Sequence, residues 1–200
     1  DPSSLSDNYV TDLLIADDGT LWVATLRGLN QFDAKNDRFV RYLHDEHDTN
    51  TLSHNWVWNI AQDSHGILWL ATDGGGLVRF DHQAQKFASV KSHSEQANGL
   101  PSNNLLSVFV DSKDNVWIGT KDAGLSRYNP DTGNFKNYPV IIGDSKSLSH
   151  PKVNAIIEDN YHQIWVGTDA GLNRLDIQQS VFSQFLNNPQ NPSSLSGNLV

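Results

Sequence analysis

The sequence contains no cysteine, and that absence removes disulfides, zinc knuckles and thiol catalysis together. It fits either a reducing cytosol or an extracytoplasmic protein that avoids stray thiols, so it leaves the compartment open. Positive charge is also scarce. Lys and Arg number 14 against 23 Asp and Glu, a net charge of -9, and the basic residues are scattered singly. No basic stripe exists to displace counterions from a phosphate backbone, so nucleic acid is not an expected partner. Long apolar runs are missing too: stretches such as Leu13 to Ala16 fall far short of the roughly 20 residues that cross a bilayer as a helix. No charged-then-apolar leader precedes Asp1, and no stretch of useful length carries the helical period. The expectation is a soluble segment without membrane contact of its own. At 200 residues and 38% hydrophobic content, the chain can still bury a real core.

What is present is a repeat. Trp22, Trp69, Trp117 and Trp165 stand at successive spacings of 47, 48 and 48 residues. Three positions after each comes Thr25, Thr72, Thr120 or Thr168, and then a Gly-Leu pair at Gly28, Gly76, Gly124 and Gly171. An aromatic residue or Leu followed by Asp or Asn comes next (Phe32-Asp33, Phe80-Asp81, Tyr128-Asn129, Leu175-Asp176). A Phe lies six residues beyond, at Phe39, Phe87, Phe135 and Phe182. Leu5, Leu52, Leu100 and Leu148 precede the tryptophans by seventeen residues, and Leu195 opens a further unit. The wording at Asp1 to Ser6 and at Asn191 to Ser196 is nearly the same, so the array is expected to continue.

Each unit reads as four short strands. In the second unit the first covers Val57 to Gln62, and its equivalents carry apolar residues at two columns: Val10, Val57, Leu105, Val153 and Leu13, Ile60, Val108, Ile156. Those columns are three apart, which breaks strict alternation and predicts a bulge or a late strand start. Turns rich in Asp, Asn and Gly follow, able to take positive φ and close a hairpin. The second strand is Leu21 to Ala24 and its equivalents, the third Leu29 to Phe32, the fourth Phe39 to Tyr42. Four short antiparallel strands per period of this length predict an all-β fold, a β-propeller of four-stranded blades. The blades are placed at 1–48, 49–96, 97–144 and 145–191, with 192–200 starting a fifth. A buried Trp removes on the order of 150–250 Å² from water, worth roughly 4–6 kcal/mol as an upper bound, so the indole column is expected to dominate the contacts between blades.

With these columns in place, the unit resembles the two-component regulator propeller repeat, whose wording is close to Asp-Ser-x-Gly-x-Leu-Trp-Ile-Gly-Thr-x-x-Gly-Leu-x-Arg-Tyr-Asp. The second unit shows it as Asp63 to Thr72 followed by Gly76-Leu77-Val78-Arg79-Phe80-Asp81. The lead-in Leu52-Ser53-His54-Asn55-Trp56-Val57 is similar to the family's as well. Departures are Ala16 in place of Asp, and Asp114-Asn115 and His162-Gln163 in place of the turn Gly and its neighbour. The resemblance implies a piece of the extracytoplasmic, periplasmic sensor region of a membrane-anchored bacterial receptor. In such proteins two propellers of about seven blades precede an output such as a histidine kinase or a diguanylate cyclase. None of those output parts is in these residues.

In a propeller the loop between strands two and three and the loop between blades share one face, at the channel mouth, so ligand-binding residues are sought there. Asp73, within Asp73-Gly74-Gly75-Gly76, marks the loop that glycine leaves open to a ligand or a neighbouring backbone. Arg27, Lys121, Asp122 and Asp169 are its polar counterparts, and their mixed signs argue against one charged ligand. Trp56 and Trp58 fall in columns where the other units carry Tyr9, Asn104, Lys152 and Thr11, Leu106, Asn154. Either indole suits stacking on a sugar or peptide, although aromatics in strands are more often core. The cluster His44-Asp45-Glu46-His47-Asp48 reads as solvated charge rather than a metal site, since a helical two-His zinc site needs a helix and a third ligand. The Asp-rich turns supply too few oxygens for calcium. No metal and no cofactor are expected. No nucleophile stands beside a base, and no phosphate loop follows a strand, so no catalytic residues are assigned.

The leading expectation is a recognition module in signal transduction, binding a small ligand or a protein. The alternative is a propeller enzyme: the spacing Asp17-Gly19-Trp22 is similar to the Asp-box of sialidases, and the Gly-x-x-Trp repeat to streptogramin lyases. Further blades of the same protein are expected partners. Four blades either close a small ring or form an open arc, which a second copy would complete into eight blades.

Overall fold

The computed structural model describes residues 1–92 and 99–200 and contains sixteen strands in four antiparallel sheets, each in sequence order. Blade 1 is β1 (Val10–Ile15), β2 (Leu21–Thr25), β3 (Gly28–Asp33) and β4 (Arg38–Tyr42). Blade 2 is β5 (Val57–Gln62), β6 (Leu68–Thr72), β7 (Gly76–Asp81) and β8 (Lys86–Val90). Blade 3 is β9 (Leu105–Val110), β10 (Val116–Thr120), β11 (Leu125–Asn129) and β12 (Asn134–Tyr138). Blade 4 is β13 (Val153–Glu158), β14 (Ile164–Thr168), β15 (Gly171–Asp176) and β16 (Val181–Phe185). The expected boundary between the second and third blades, at 96 and 97, lies outside the described residues.

The three hydrophobic cores lie between blades rather than within them. Trp22 and Leu29 of blade 1 meet Leu52, Val57, Leu70 and Phe80 of blade 2. Trp69 and Leu77 meet Leu100, Leu105, Val116 and Ile118, and Trp117 and Leu125 meet Leu148, Val153, Val166 and Phe182. A blade alone has two apolar faces, and only stacking removes them from water. The indoles of Trp22, Trp69 and Trp117 are buried, whereas Trp165, whose blade has no successor among the described sheets, is half-buried. The opposite face shows the complement: Leu13 is 61% exposed, while Ile60, Val108 and Ile156 in its column are at most 7% exposed. Blades 1 and 4 therefore do not cover each other's free faces.

Polar devices repeat with the same period. The Nε1 hydrogens of Trp69, Trp117 and Trp165 are donated to Asp63, Asp111 and Asp159, each at 2.8 Å. In blade 1 the carboxylate is replaced by Ala16, and Trp22 Nε1 is buried without a partner among the described residues. Ala16→Asp is therefore expected to stabilise the fold by about 1–2 kcal/mol by supplying the missing acceptor. Denaturant titration measures the gain, and an unchanged or lower midpoint speaks against it.

The columns three apart have their cause in a bulge. Pairing slips between Val10 and Asp12, Val57 and Asn59, and Val153 and Ala155, and at the matching place in β9. The extra residue in each inner strand is Thr11, Trp58, Leu106 or Asn154, and the bulge re-aims it. The turns lacking glycine also keep their shape, since Asp114 and His162 take φ of 58° and 60° where Gly19 and Gly66 take 82° and 79°.

These two substitutions stitch blades together. Asp114 of blade 3 accepts from the Ser64 amide at 2.9 Å and the Ser64 hydroxyl at 2.5 Å. One step on, Ser112 donates its amide and hydroxyl to Glu158, which also contacts His162 at 3.0 Å. The Ser64 hydroxyl and amide hold the Asp114 carboxyl below its ordinary value. Burial pushes Glu158 up, but the Ser112 amide and hydroxyl and the His162 ring outweigh it and hold this carboxyl below its ordinary value too. Groups depressed in the folded state stabilise it above their unfolded pKa and cease to do so as pH falls through the folded value. Melting temperature is thus expected to fall below about pH 4. The paired variant Asp114→Asn with Glu158→Gln should flatten that acid limb, each group contributing less than about 1 kcal/mol at this exposed surface. An acid limb of unchanged slope in the variant contradicts this assignment.

Candidate functional site

The channel-mouth face is assembled by a second set of repeated bonds. Thr25, Thr72, Thr120 and Thr168 are fully buried and bond the carbonyls of Gly28, Gly76, Gly124 and Gly171, pinning the loop between the second and third strands. The same four glycines donate their amides across the blade boundary to the carbonyls of Asn55, Asn103, Pro151 and Asn198. At Gly124 a side chain is excluded twice, by a φ of +88° and by the Tyr138 carbonyl oxygen 2.6 Å from where a Cβ would lie. Residues 198–200 take this position on blade 4, with the Val200 amide donated to the Thr168 carbonyl.

Behind this face the four inner strands, β1, β5, β9 and β13, line one groove. Side chains link them in series. Asp12 accepts from Asn59 Nδ2 at 2.6 Å and the Ile60 amide at 2.8 Å, Asn59 Oδ1 accepts from the Val108 amide at 2.7 Å, and Ser107 donates to the Val153 carbonyl at 3.3 Å.

At the mouth lies a cavity of about 500 Å³ lined by Thr11, Trp58, Asn59, Leu106, Lys121, Lys152 and Asn154. All four blades contribute, and the four bulge residues Thr11, Trp58, Leu106 and Asn154 are all present. Trp58 is half-buried, and its Nε1 is buried with no partner among the described residues. Lys121 faces Asp73 of the preceding blade at 3.5 Å, and Lys152 faces Asp169 at 3.0 Å. Hydrogen bonds from Asn154 and Lys152 hold the Asp169 carboxyl below its ordinary value.

Of the residues singled out in the sequence, Trp58 and Lys121 line the cavity, and Asp73 and Asp169 anchor its two lysines from outside the lining. The others stand apart. Trp56 lies one residue before β5, is 48% exposed and packs edge-on to His54 at 5.9 Å. Burial holds the His54 ring below its ordinary pKa, partly opposed by Asp73. Asp122 is exposed and receives Asn104 Nδ2 at 3.5 Å. Arg27 is exposed, its amide donated to Thr25 Oγ1. Sequence reasoning did not place Lys152 or Asn59 at the site. Lys152 had a signal, since it occupies the column of Trp56; Asn59 directly follows the bulge and had none. In the acidic loop, His44 Nδ1 contacts the Leu52 carbonyl, and exposed His47 and Glu46 pair at 3.4 Å. No cluster of three metal-ligating side chains converges among the described residues. Nor does any described helix have the length and apolarity to cross a membrane.

Fold and cavity together define a β-propeller segment with a hollow at its channel mouth, lined by Trp58, Lys121 and Lys152 among others. Residues 4–27, 51–74, 99–122 and 147–170 match the two component regulator propeller. The chain is built of these repeats and belongs to that repeat family. No curated protein matches it.

Among solved structures, it is similar to the extracellular domain described for a hybrid two component system of B. thetaiotaomicron. That match has a TM-score of 0.82 and 23% identity, over 92% of this chain and 25% of the other. It is similar to PorZ, a bacterial surface component of the type-IX secretion system of Porphyromonas gingivalis, with TM-score 0.67, 18% identity, 95% of this chain and 28% of that one. The WD40 repeats of RRP9 match with TM-score 0.65 and 12% identity, over 90% of this chain and 51% of theirs. The chain thus spans about a quarter of the length of the first two. At these identities the likeness establishes the propeller fold alone.

Proposed function

We infer that this segment is the ligand-recognising part of an extracytoplasmic sensor in a bacterial signal-transduction receptor. One observation carries the reading: the cavity wall contains side chains that break the repeat. A scaffold residue recurs in every blade, as the Trp, Thr and Gly columns do, but Trp58 stands where the other blades have Thr, Leu and Asn. The family of the repeats and the extracellular origin of one structural relative support the location. Among the described residues no carboxylate lines the cavity, and Asp73 and Asp169 are engaged by lysines, which favours binding over hydrolysis that needs a free acid and base. Further blades of the same protein cover the free faces at Leu13 and Trp165; a second copy completing the ring is the other outcome of a mass measurement in solution.

The test is a thermal-shift screen of sugars, peptides and small acids on the wild-type protein and on Trp58→Ala. A ligand at about 100 times its Kd stabilises by about 2.7 kcal/mol, and Trp58→Ala should abolish that shift. A ligand that shifts both proteins equally contradicts this site, and turnover of a sialoside or a cyclic lactone overturns the non-enzymatic reading.

A further inference from the structure

We propose that the channel-mouth cavity takes a carboxylate-bearing six-membered ring, with the anion held by Lys121 and Lys152 and the ring face laid on Trp58. This rests on the recognition reading above and names its ligand class.

The hydrogen-bonding capacity left over in the cavity wall points there. Asn59 is spent at both ends, donating to Asp12 and accepting from Val108. Asn154 donates Nδ2 to Asp169 at 2.8 Å and to the Val200 carbonyl at 2.9 Å, and Thr11 donates its hydroxyl to the Val57 carbonyl at 2.5 Å. What remains is mostly donors. Trp58 Nε1–H is buried and unpaired among the described residues. Each lysine ammonium has three hydrogens, and one carboxylate contact accounts for each ammonium. The ligand must therefore bring acceptors. A carboxylate brings two oxygens and forms charge-assisted bonds stronger than neutral ones.

Charge agrees with this count. Both ionic groups in the lining are cations, and the two carboxylates that balance them lie outside it. Asp73 and Asp169 thus preposition the ammoniums and release hydrogens to a competing anion. The flat face of Trp58 and the apolar side chain of Leu106 suit a ring, and about 500 Å³ lies within the range of small-ligand cavities. Because Thr11, Trp58, Leu106 and Lys152 come from four different blades, the bound ring would touch every blade.

The ring acid has two sources, a sugar acid or an aryl acid, and the experiment separates them. Calorimetric titrations of the protein use glucuronate and benzoate, each paired with its uncharged counterpart, glucose and benzyl alcohol. At least one acid is expected to bind about tenfold tighter than its counterpart, and Lys121→Gln and Lys152→Gln should each weaken it about tenfold. Trp58→Ala should remove the heat. Asp73→Asn and Asp169→Asn, which free an ammonium, should tighten binding several-fold, a gain that misfolding cannot imitate. Binding of glucuronate alone assigns a sugar acid, and of benzoate alone an aryl acid. Equal binding of acid and counterpart, no binding of either acid, or indifference to both lysine substitutions overturns the proposal. If neutral ligands bind through Trp58 with the lysines indifferent, only the ligand class falls. If no ligand of the wider screen responds to Trp58→Ala, the recognition reading falls with it.

Discussion

Trp117→Ala is expected to cost about 3–5 kcal/mol of stability, while the same change at Trp165 costs about 1–2 kcal/mol. The two tryptophans hold the same column, share the same carboxylate bond and differ in what lies over them. Trp117 is fully buried: it stacks on Tyr138 at 5.9 Å, sits under the Arg127 guanidinium and belongs to the core shared with blade 4. Trp165 rests on Phe185 and Arg174 of its own blade and is half-buried. Removing the first leaves a cavity between two sheets that cannot collapse without moving a blade; removing the second mostly uncovers surface already wet. Urea titration of the two variants measures the difference, and equal losses would show that the indole works inside its blade rather than between blades.

The second large effect is at Asp111. Its carboxylate accepts from Trp117 Nε1 at 2.8 Å, from the Lys113 and Asn115 amides at 2.9 Å each, and from the Asn115 side chain. Asp111→Ala leaves a buried indole N–H unpaired together with turn amides, and the expected cost is about 3 kcal/mol, since bonds to a charged acceptor are worth about 1.5–3 kcal/mol each and are only partly replaced by water. Denaturant titration again gives the value. A loss below 1 kcal/mol, on the order of an exposed turn substitution, would mean that the indole N–H finds another acceptor. Blade 1 already lives with that defect through Ala16, so Ala16→Asp and Asp111→Ala should move stability in opposite directions.

The propeller was legible because its chemistry repeats. The Trp, Thr and Gly columns each correspond to one interblade contact or one loop bond. Even the bulge showed in apolar columns set three apart rather than two. The exception at Ala16 was equally readable, and the unpaired Trp22 indole is its structural counterpart. The cavity was only partly legible. Trp58 stood out as an aromatic that breaks its column, and Lys121 as a polar loop residue. Whether either faces the channel depends on how the bulge re-aims each inner strand and how neighbouring blades converge, neither of which a single unit encodes. That is why Trp56, two residues from Trp58, projects at the surface, and why Arg27 and Asp122 stand in the right loops yet outside the hollow. Lys152 joins the site only because blade 4 brings it beside Asp169 and into the same cavity as Trp58.

Solvent exchange of the six indole N–H protons, resolved one by one by NMR, tests the interblade wedge most directly. Trp69 and Trp117, buried between sheets and bonded to Asp63 and Asp111, are predicted to exchange slowest, Trp165 at an intermediate rate and exposed Trp56 fastest. If Trp69 or Trp117 exchanges as fast as Trp56, the blades are not held together by their indoles.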